Sequence, residues 1–301
     1  MRTVIYGLPK SGTTYLFSLL AEAMGRNKNL VESFEPRFID QNNRLHRNDG
    51  KFWDESDNML VKILYADANK KSGWEGEKAL TAFNSYDKKI FIIRDPRDRW
   101  ISAFFYRWFH RHNPNPEDYI RAYELAKSKE NNPASIPFYN LLSSDSIFLK
   151  RWANDYRKNL KILSDFINIL RVKGWFVISY EDIVDEKLMG LENYLGFSLE
   201  SKHGIRPSFM HVSRTKSYGN WRRWFTSEDV GFFSPIFNDF LADQEYDSKD
   251  WNLENTNSLS SAEGSEYMKR LFYHSKGPNI ETISILGKIK KLIFKYSRHV
   301  E

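Results

Sequence analysis

The 301-residue chain contains no cysteine. That excludes a disulfide-stapled scaffold, a thiolate nucleophile and any zinc site built on cysteine ligands. Long apolar runs are missing as well, since no stretch approaches the ~20 residues a membrane-spanning helix needs. The opening residues, "MRTVIYGL", run straight into a strand pattern and leave no room for a signal peptide. A soluble, cytoplasmic protein is therefore expected. Charge of one sign does not dominate: 45 Lys and Arg face 39 Asp and Glu, for a net charge of +6. The basic residues are scattered among the acids rather than gathered in a stripe, which argues against a nucleic-acid partner and for a small anionic ligand. There is no internal repeat.

What is present is a globular composition, 41% hydrophobic and 16% aromatic, enough for a generous α/β core. Buried-strand patterns occur at 3–8, 29–34, 58–66, 88–94 and 174–180, and helical patterns separate most of them. This alternation predicts a parallel sheet flanked by helices. A helix is expected over 13–25, closed by Gly25, and a long amphipathic one within 145–172, with Trp152, Tyr156, Leu163, Phe166, Ile167 and Leu170 on its apolar side. Residues 108–117 read as a loop, and its two histidines, His110 and His112, are too few for a metal site. After Trp251 the texture turns polar and Ser/Asn-rich, so one domain over 1–250 and a linker and tail over 251–301 are expected.

Between the first strand and helix lies "GLPKSGTT" (7–14), close to the phosphate-binding pattern G-x-x-x-x-G-K-[ST]. Gly7, Gly12 and Thr14 are in register, but Thr13 occupies the lysine slot and Lys10 stands three residues earlier. A glycine-containing turn opening a helix cradles an anion through backbone N–H groups, whatever the ligand. Without the slot lysine, and with no acid clearly placed to hold Mg²⁺, triphosphate chemistry is disfavoured. A second stretch, "IFIIRDPRDRWISAFF" (90–105), ends an apolar strand at Arg94. Asp95 and Pro96 then suit a helix start, with Ser102 along that helix. A guanidinium at the C-terminal edge of a parallel sheet is a second place for a phosphate.

"PKSGTT" followed by "RDPRDRWIS" resembles the 5′-phosphosulfate loop and the 3′-phosphate motif of the PAPS-dependent sulfotransferases. The resemblance extends to "ISYEDI" (178–183) and to "RTKSYGNWRRWFT" (214–226). It implies a nucleotide-kinase-like P-loop sulfotransferase fold, 3′-phosphoadenosine 5′-phosphosulfate (PAPS) as donor, 3′,5′-bisphosphoadenosine as product, and no metal. Under it Lys10 would meet the bridging oxygen of the phosphosulfate, and Ser11, Gly12, Thr13 and Thr14 would cradle the group. Arg94, Ser102 and Arg214 would hold the 3′-phosphate. Tyr15 and Tyr180 would flank the adenine, and Lys216 would replace a basic residue shifted in the late block. The family's K-T-H histidine is absent: "VKIL" (61–64) has Leu64 in that place, beside Lys62. Carbohydrate-modifying members use a glutamate instead, and "VESFEPRF" (31–38) offers Glu35 as the base, with Glu32 or His46 as alternatives. The resemblance is thus closer to the carbohydrate type and implies a glycan or glycolipid hydroxyl as acceptor. An ATP-dependent P-loop kinase and a non-catalytic nucleotide-binding relative are the rival readings.

The end of the chain, 281–301, forms an amphipathic pattern, with Ile285, Leu286, Ile289, Leu292 and Ile293 opposite Lys288, Lys290, Lys291, Lys295 and Arg298. Such a helix either docks on the domain or lies on an anionic membrane surface.

Overall fold

The computed structural model describes residues 1–25, 29–36, 45–46, 56–66, 74–109, 116–144, 148–199 and 205–276, with side chains left out at 116–117, 148–158 and 274–276. The histidine pair at 110–112, the tail at 281–301 and the side chains of Trp152 and Tyr156 lie outside the described residues. In chain order the elements are β1 (Arg2–Gly7), α1 (Thr13–Gly25), β2 (Val31–Phe34), β3 (Met59–Leu64), α2 (Gly76–Ala82), β4 (Lys88–Ile93), α3 (Pro96–Tyr106), α4 (Pro116–Asn131) and α5 (Phe138–Ser143). There follow α6 (Phe148–Val172), β5 (Phe176–Ser179), α7 (Tyr180–Val184), α8 (Met189–Leu195), α9 (Trp221–Trp224), α10 (Ser227–Asp243) and α11 (Ser265–Lys276). Among the described residues, no helix is long and apolar enough to cross a membrane.

The chain divides into two compact units, one formed by 1–95 and 159–217, the other by 96–158 and 218–301. The first holds the sheet. Its five strands are all parallel, in the order β2-β3-β1-β4-β5. Every expected strand is there. Period-two alternation sorts their side chains onto two covered faces, as a buried parallel sheet requires. Ile5, Leu60, Ile90, Ile92 and Ile178 join Leu16, Phe17 and Leu20 of α1 and Leu191 of α8. Tyr6 and Phe91 point the other way, where both meet Phe166 of α6 edge-on. Leu163, Phe166, Ile167 and Leu170 are all buried, as the helical period over this stretch predicts. Gly7 is needed at the end of β1, because a Cβ there would stand 2.7 Å from both Cγ2 and the carbonyl oxygen of Ile92.

Strand order matters for function. From β1 the chain moves outward to β2 and β3, and from β4 it moves the opposite way to β5. The crevice at the C-terminal ends of β1 and β4 is therefore the switch point where parallel sheets bind ligands.

The second unit is helical and owes its cohesion to buried polar joints as well as aromatics. Asp229 in the first turn of α10 accepts from the backbone N–H groups of Phe138 and Tyr139 (2.7 and 2.9 Å) and of Thr226 (2.8 Å). Thr226 and Asp229 together form a capping box. Glu130 of α4 accepts from the hydroxyl of Ser265 at 2.7 Å, and its own carbonyl receives the N–H of Leu259. The boundary expected near residue 250 does not appear. Tyr267, Met268, Leu271 and Phe272 of α11 are buried, and Phe272 stacks on Tyr119 of α4 at 4.2 Å. The polar stretch after Trp251 is a surface crossing between two packed elements, which has the composition of a linker.

Candidate anion site at the sheet edge

In a parallel sheet, the residues that follow each strand converge on one edge. Here those are the loop after β1, Glu35 after β2, Arg94 after β4 and Tyr180 after β5. The β1–α1 loop turns tightly through two left-handed residues, Lys10 (φ 70) and Gly12 (φ 90), with the N–H of Ser11 donating to the Leu8 carbonyl at 3.2 Å. Helix α1 then begins at Thr13, so its first amides open toward the loop. A side chain at position 12 has no room: its Cβ would come within 2.3 Å of the Tyr180 ring.

Lys10 donates its ammonium to the Val212 carbonyl at 2.8 Å. Burial holds its pKa well below the usual lysine range, and the neighbouring positive charges of Arg94, Lys62 and Arg214 push it the same way. Four cations therefore share one field at this edge. Arg94 donates to the carbonyls of Lys10 (3.1 Å) and Ser217 (3.3 Å), and its guanidinium lies over the Tyr180 ring at 4.2 Å. Its Nε is buried without a protein partner, and so is the hydroxyl of Ser11 in the loop.

Beside this cluster stands an ion pair. Lys62 on β3, only 2% exposed, donates to the Glu35 carboxylate, whose side chain is 40% exposed. Burial lowers the lysine's pKa, and Glu35 acts against that shift. Glu35 itself has a left-handed backbone (φ 51), and its N–H bonds the Lys62 carbonyl at 2.9 Å. The Phe34 ring lies between the Lys62 ammonium, 4.2 Å from its centroid, and the Phe209 ring, stacked at 4.5 Å. Glu32, the alternative base, is committed elsewhere through two hydrogen bonds from Arg206, at 2.5 and 2.8 Å.

The structure thus gathers Lys10, Ser11, Gly12, Thr13, Thr14, Arg94, Arg214 and Tyr180 at one edge, with Glu35 and Lys62 beside them. Tyr180 is 7% exposed and its ring is filled by Gly12 on one contact and Arg94 on another, so it supports the loop. Tyr15 is half-buried against the core, with its phenol pKa raised by burial and then by Glu186. Lys216 is exposed, in a left-handed turn (φ 55). Ser102 belongs to the second unit, where it is buried on α3. Much of the late block serves that unit's own architecture: Asp98 accepts from the N–H groups of Gly219 (2.5 Å) and Trp221 (3.1 Å), and Trp221 and Trp224 are buried.

Two contributors escaped the sequence reading. One is the segment 205–212, which supplies Arg206, Phe209 and the carbonyl of Val212. The other is Glu181, whose carboxylate accepts the N–H of Asp95 at 3.1 Å. Burial and the charge of Asp95 push its pKa up to about 7 against the opposing pull of Arg94. The "YED" run held that signal, but nothing in its spacing tells which acid turns inward.

No known family profile matches the chain, and no curated protein sequence does either. Among solved structures, the chain is similar to mouse sulfotransferase SULT7A1 complexed with PAP, at 14% identity and a TM-score of 0.45, over 81% of this chain and 89% of that one. A likeness that distant assigns no activity.

Proposed function

We propose that the chain transfers a sulfuryl group from PAPS to an acceptor hydroxyl, with a carbohydrate or glycolipid as the acceptor class. The observation that carries this reading is the cluster of Lys10, Lys62, Arg94 and Arg214 in a common field around a tight loop that opens α1. Concentrated positive charge at a helix N-terminus and a sheet switch point suits a ligand with several separate anionic groups. The order of the four sequence motifs supports a donor bearing both a 5′-phosphosulfate and a 3′-phosphate. The buried Arg94 Nε and Ser11 hydroxyl without protein partners fit such a group.

Bound there, PAPS would supply an activated sulfuryl group on a bisphosphate leaving group. The loop amides and the hydroxyls of Ser11, Thr13 and Thr14 would hold the 5′ end, and Arg94 and Arg214 would hold the 3′-phosphate. Glu35 takes the acceptor's proton as the acceptor oxygen forms its bond to sulfur. The bond from sulfur to the bridging oxygen breaks, and Lys10 stabilises the charge left on that oxygen. Once Glu35 is protonated, its hold on Lys62 weakens and the ammonium is released toward the sulfuryl oxygens.

Calorimetry with 3′,5′-bisphosphoadenosine and with Mg²⁺-ATP tests the donor class. Binding of the bisphosphate is expected, and a preference for ATP would sink the reading in favour of a kinase. In transfer assays over a panel of hydroxyl acceptors, Glu35→Gln should lose at least ~100-fold in kcat, the usual contribution of a general base. Unchanged turnover removes Glu35 from the mechanism.

A further inference from the structure

Arg94 is flanked by two acids and not one. Glu181 follows Tyr180, the residue whose ring carries the Arg94 guanidinium, and its carboxylate accepts the N–H of Asp95 at 3.1 Å. Glu181 thus meets the end of β4, where the charges of Asp95 and Arg94 act on its carboxylate in opposite senses. The charged groups acting on Glu181 from the end of β4 are Asp95 and Arg94. On its own helix the nearest acid, Asp182, is turned to the Ser179 hydroxyl at 2.7 Å. From the β1–α1 loop, Lys10 acts on Arg94.

We propose that Glu181 is a proton-linked positioning residue for the anion held at Arg94, so that a phosphate binds there together with a proton taken up by the Glu181 carboxyl. The proposal rests on the nucleotide reading above. Burial and then Asp95 raise the Glu181 pKa, and Arg94 supplies the favourable charge that partly offsets them. A phosphate at Arg94 neutralises that field and adds negative charge of its own. Both effects favour the neutral carboxyl. The protonated group still accepts the Asp95 N–H through its carbonyl oxygen, so the end of β4 keeps its geometry while its charge changes. A carboxyl poised at about 7 makes that exchange available near neutral pH.

The test is calorimetric titration of wild-type protein with 3′,5′-bisphosphoadenosine at about pH 8, in buffers of different ionisation enthalpy. Ligand phosphates, with a second ionisation near pH ~6, are already dianions there, so any proton enters the protein. Uptake of about half a proton is expected, shrinking toward about pH 6 where Glu181 already carries its proton. Lys10, whose ammonium is also disfavoured in the free site, adds uptake of its own, and Glu181→Gln separates the two. The amide still accepts from Asp95 but cannot titrate, so uptake should fall by about half or more. Wild-type binding without proton uptake, or undiminished uptake in Glu181→Gln, overturns the proposal and leaves the nucleotide reading standing. Absence of any bisphosphate binding to the wild type overturns both.

Discussion

Lys10 occupies a left-handed backbone position, where a non-glycine residue is held at some cost. That conformation places the ammonium among Arg94, Lys62 and Arg214 instead of in water. Its pKa is lowered first by burial and then by the like charges around it. Lys10→Ala should therefore reduce transfer by roughly 10²–10³-fold, the scale of losing one group that stabilises developing charge. Bisphosphate affinity should fall by much less, because three cations and the loop amides stay in place. A variant that loses affinity and turnover equally would mean that Lys10 binds the ground state only.

At the scale of elements, the second unit depends on one carboxylate more than on any single apolar contact described. Asp229 satisfies three buried N–H groups, at Phe138, Tyr139 and Thr226, and thereby ties the start of α5 to the start of α10. Thr226 contributes only the reciprocal cap. Thr226→Ala is expected to cost about 1 kcal/mol, the usual value of an N-cap. Asp229→Ala should cost about 3 kcal/mol or more, because several buried donors lose their acceptor together. Urea denaturation of both variants checks the ranking, and equal losses would show that Asp229 acts only as a cap. In the first unit the segment 205–217 plays a comparable part, joining β2 through Arg206 and Glu32, and the loop through Lys10 and Val212.

For the whole molecule, buried charges of both signs set the pH response. Glu181 is raised to about 7, and burial also raises Glu130 and Asp229. Stability from such acids is full below their unfolded values and is lost as pH rises through the folded ones. Lys129 is lowered to about 8, and Lys10 and Lys62 are lowered too, chiefly by burial. Stability from those lysines is full above their unfolded values and is lost as pH falls through the folded ones. Between about pH 5.5 and 7.5 the folded Glu181 loses its proton, so its contribution should make Tm lower at about pH 7.5 than at about pH 5.5, and Glu181→Gln should flatten that slope. Saturating bisphosphate should restore several degrees near pH 7.5 by occupying the cation cluster. A Tm that rises steadily from about pH 5.5 to 7.5 would contradict this balance.

All five strands, helix α1 and the described apolar face of α6 were legible from periodicity, because a buried parallel sheet and an amphipathic helix print their burial directly on the sequence. The loop and Arg94 were legible as well, since a phosphate cradle needs glycine between a strand and a helix, and an edge cation must directly follow a strand. What sequence could not supply was direction and partnership. Whether Tyr180 faces a ligand or supports Gly12, whether Glu35 stands alone or meets Lys62, and which acid of "YED" turns toward Arg94 all depend on residues distant in the chain. For the same reason the sequence does not mark α11 as core: only the α4 surface it covers does. Local chemistry and period determined the elements and the loop between them, and the tertiary structure alone decided which charges share a field, since burial and Coulomb interactions depend on distance in space and not along the chain.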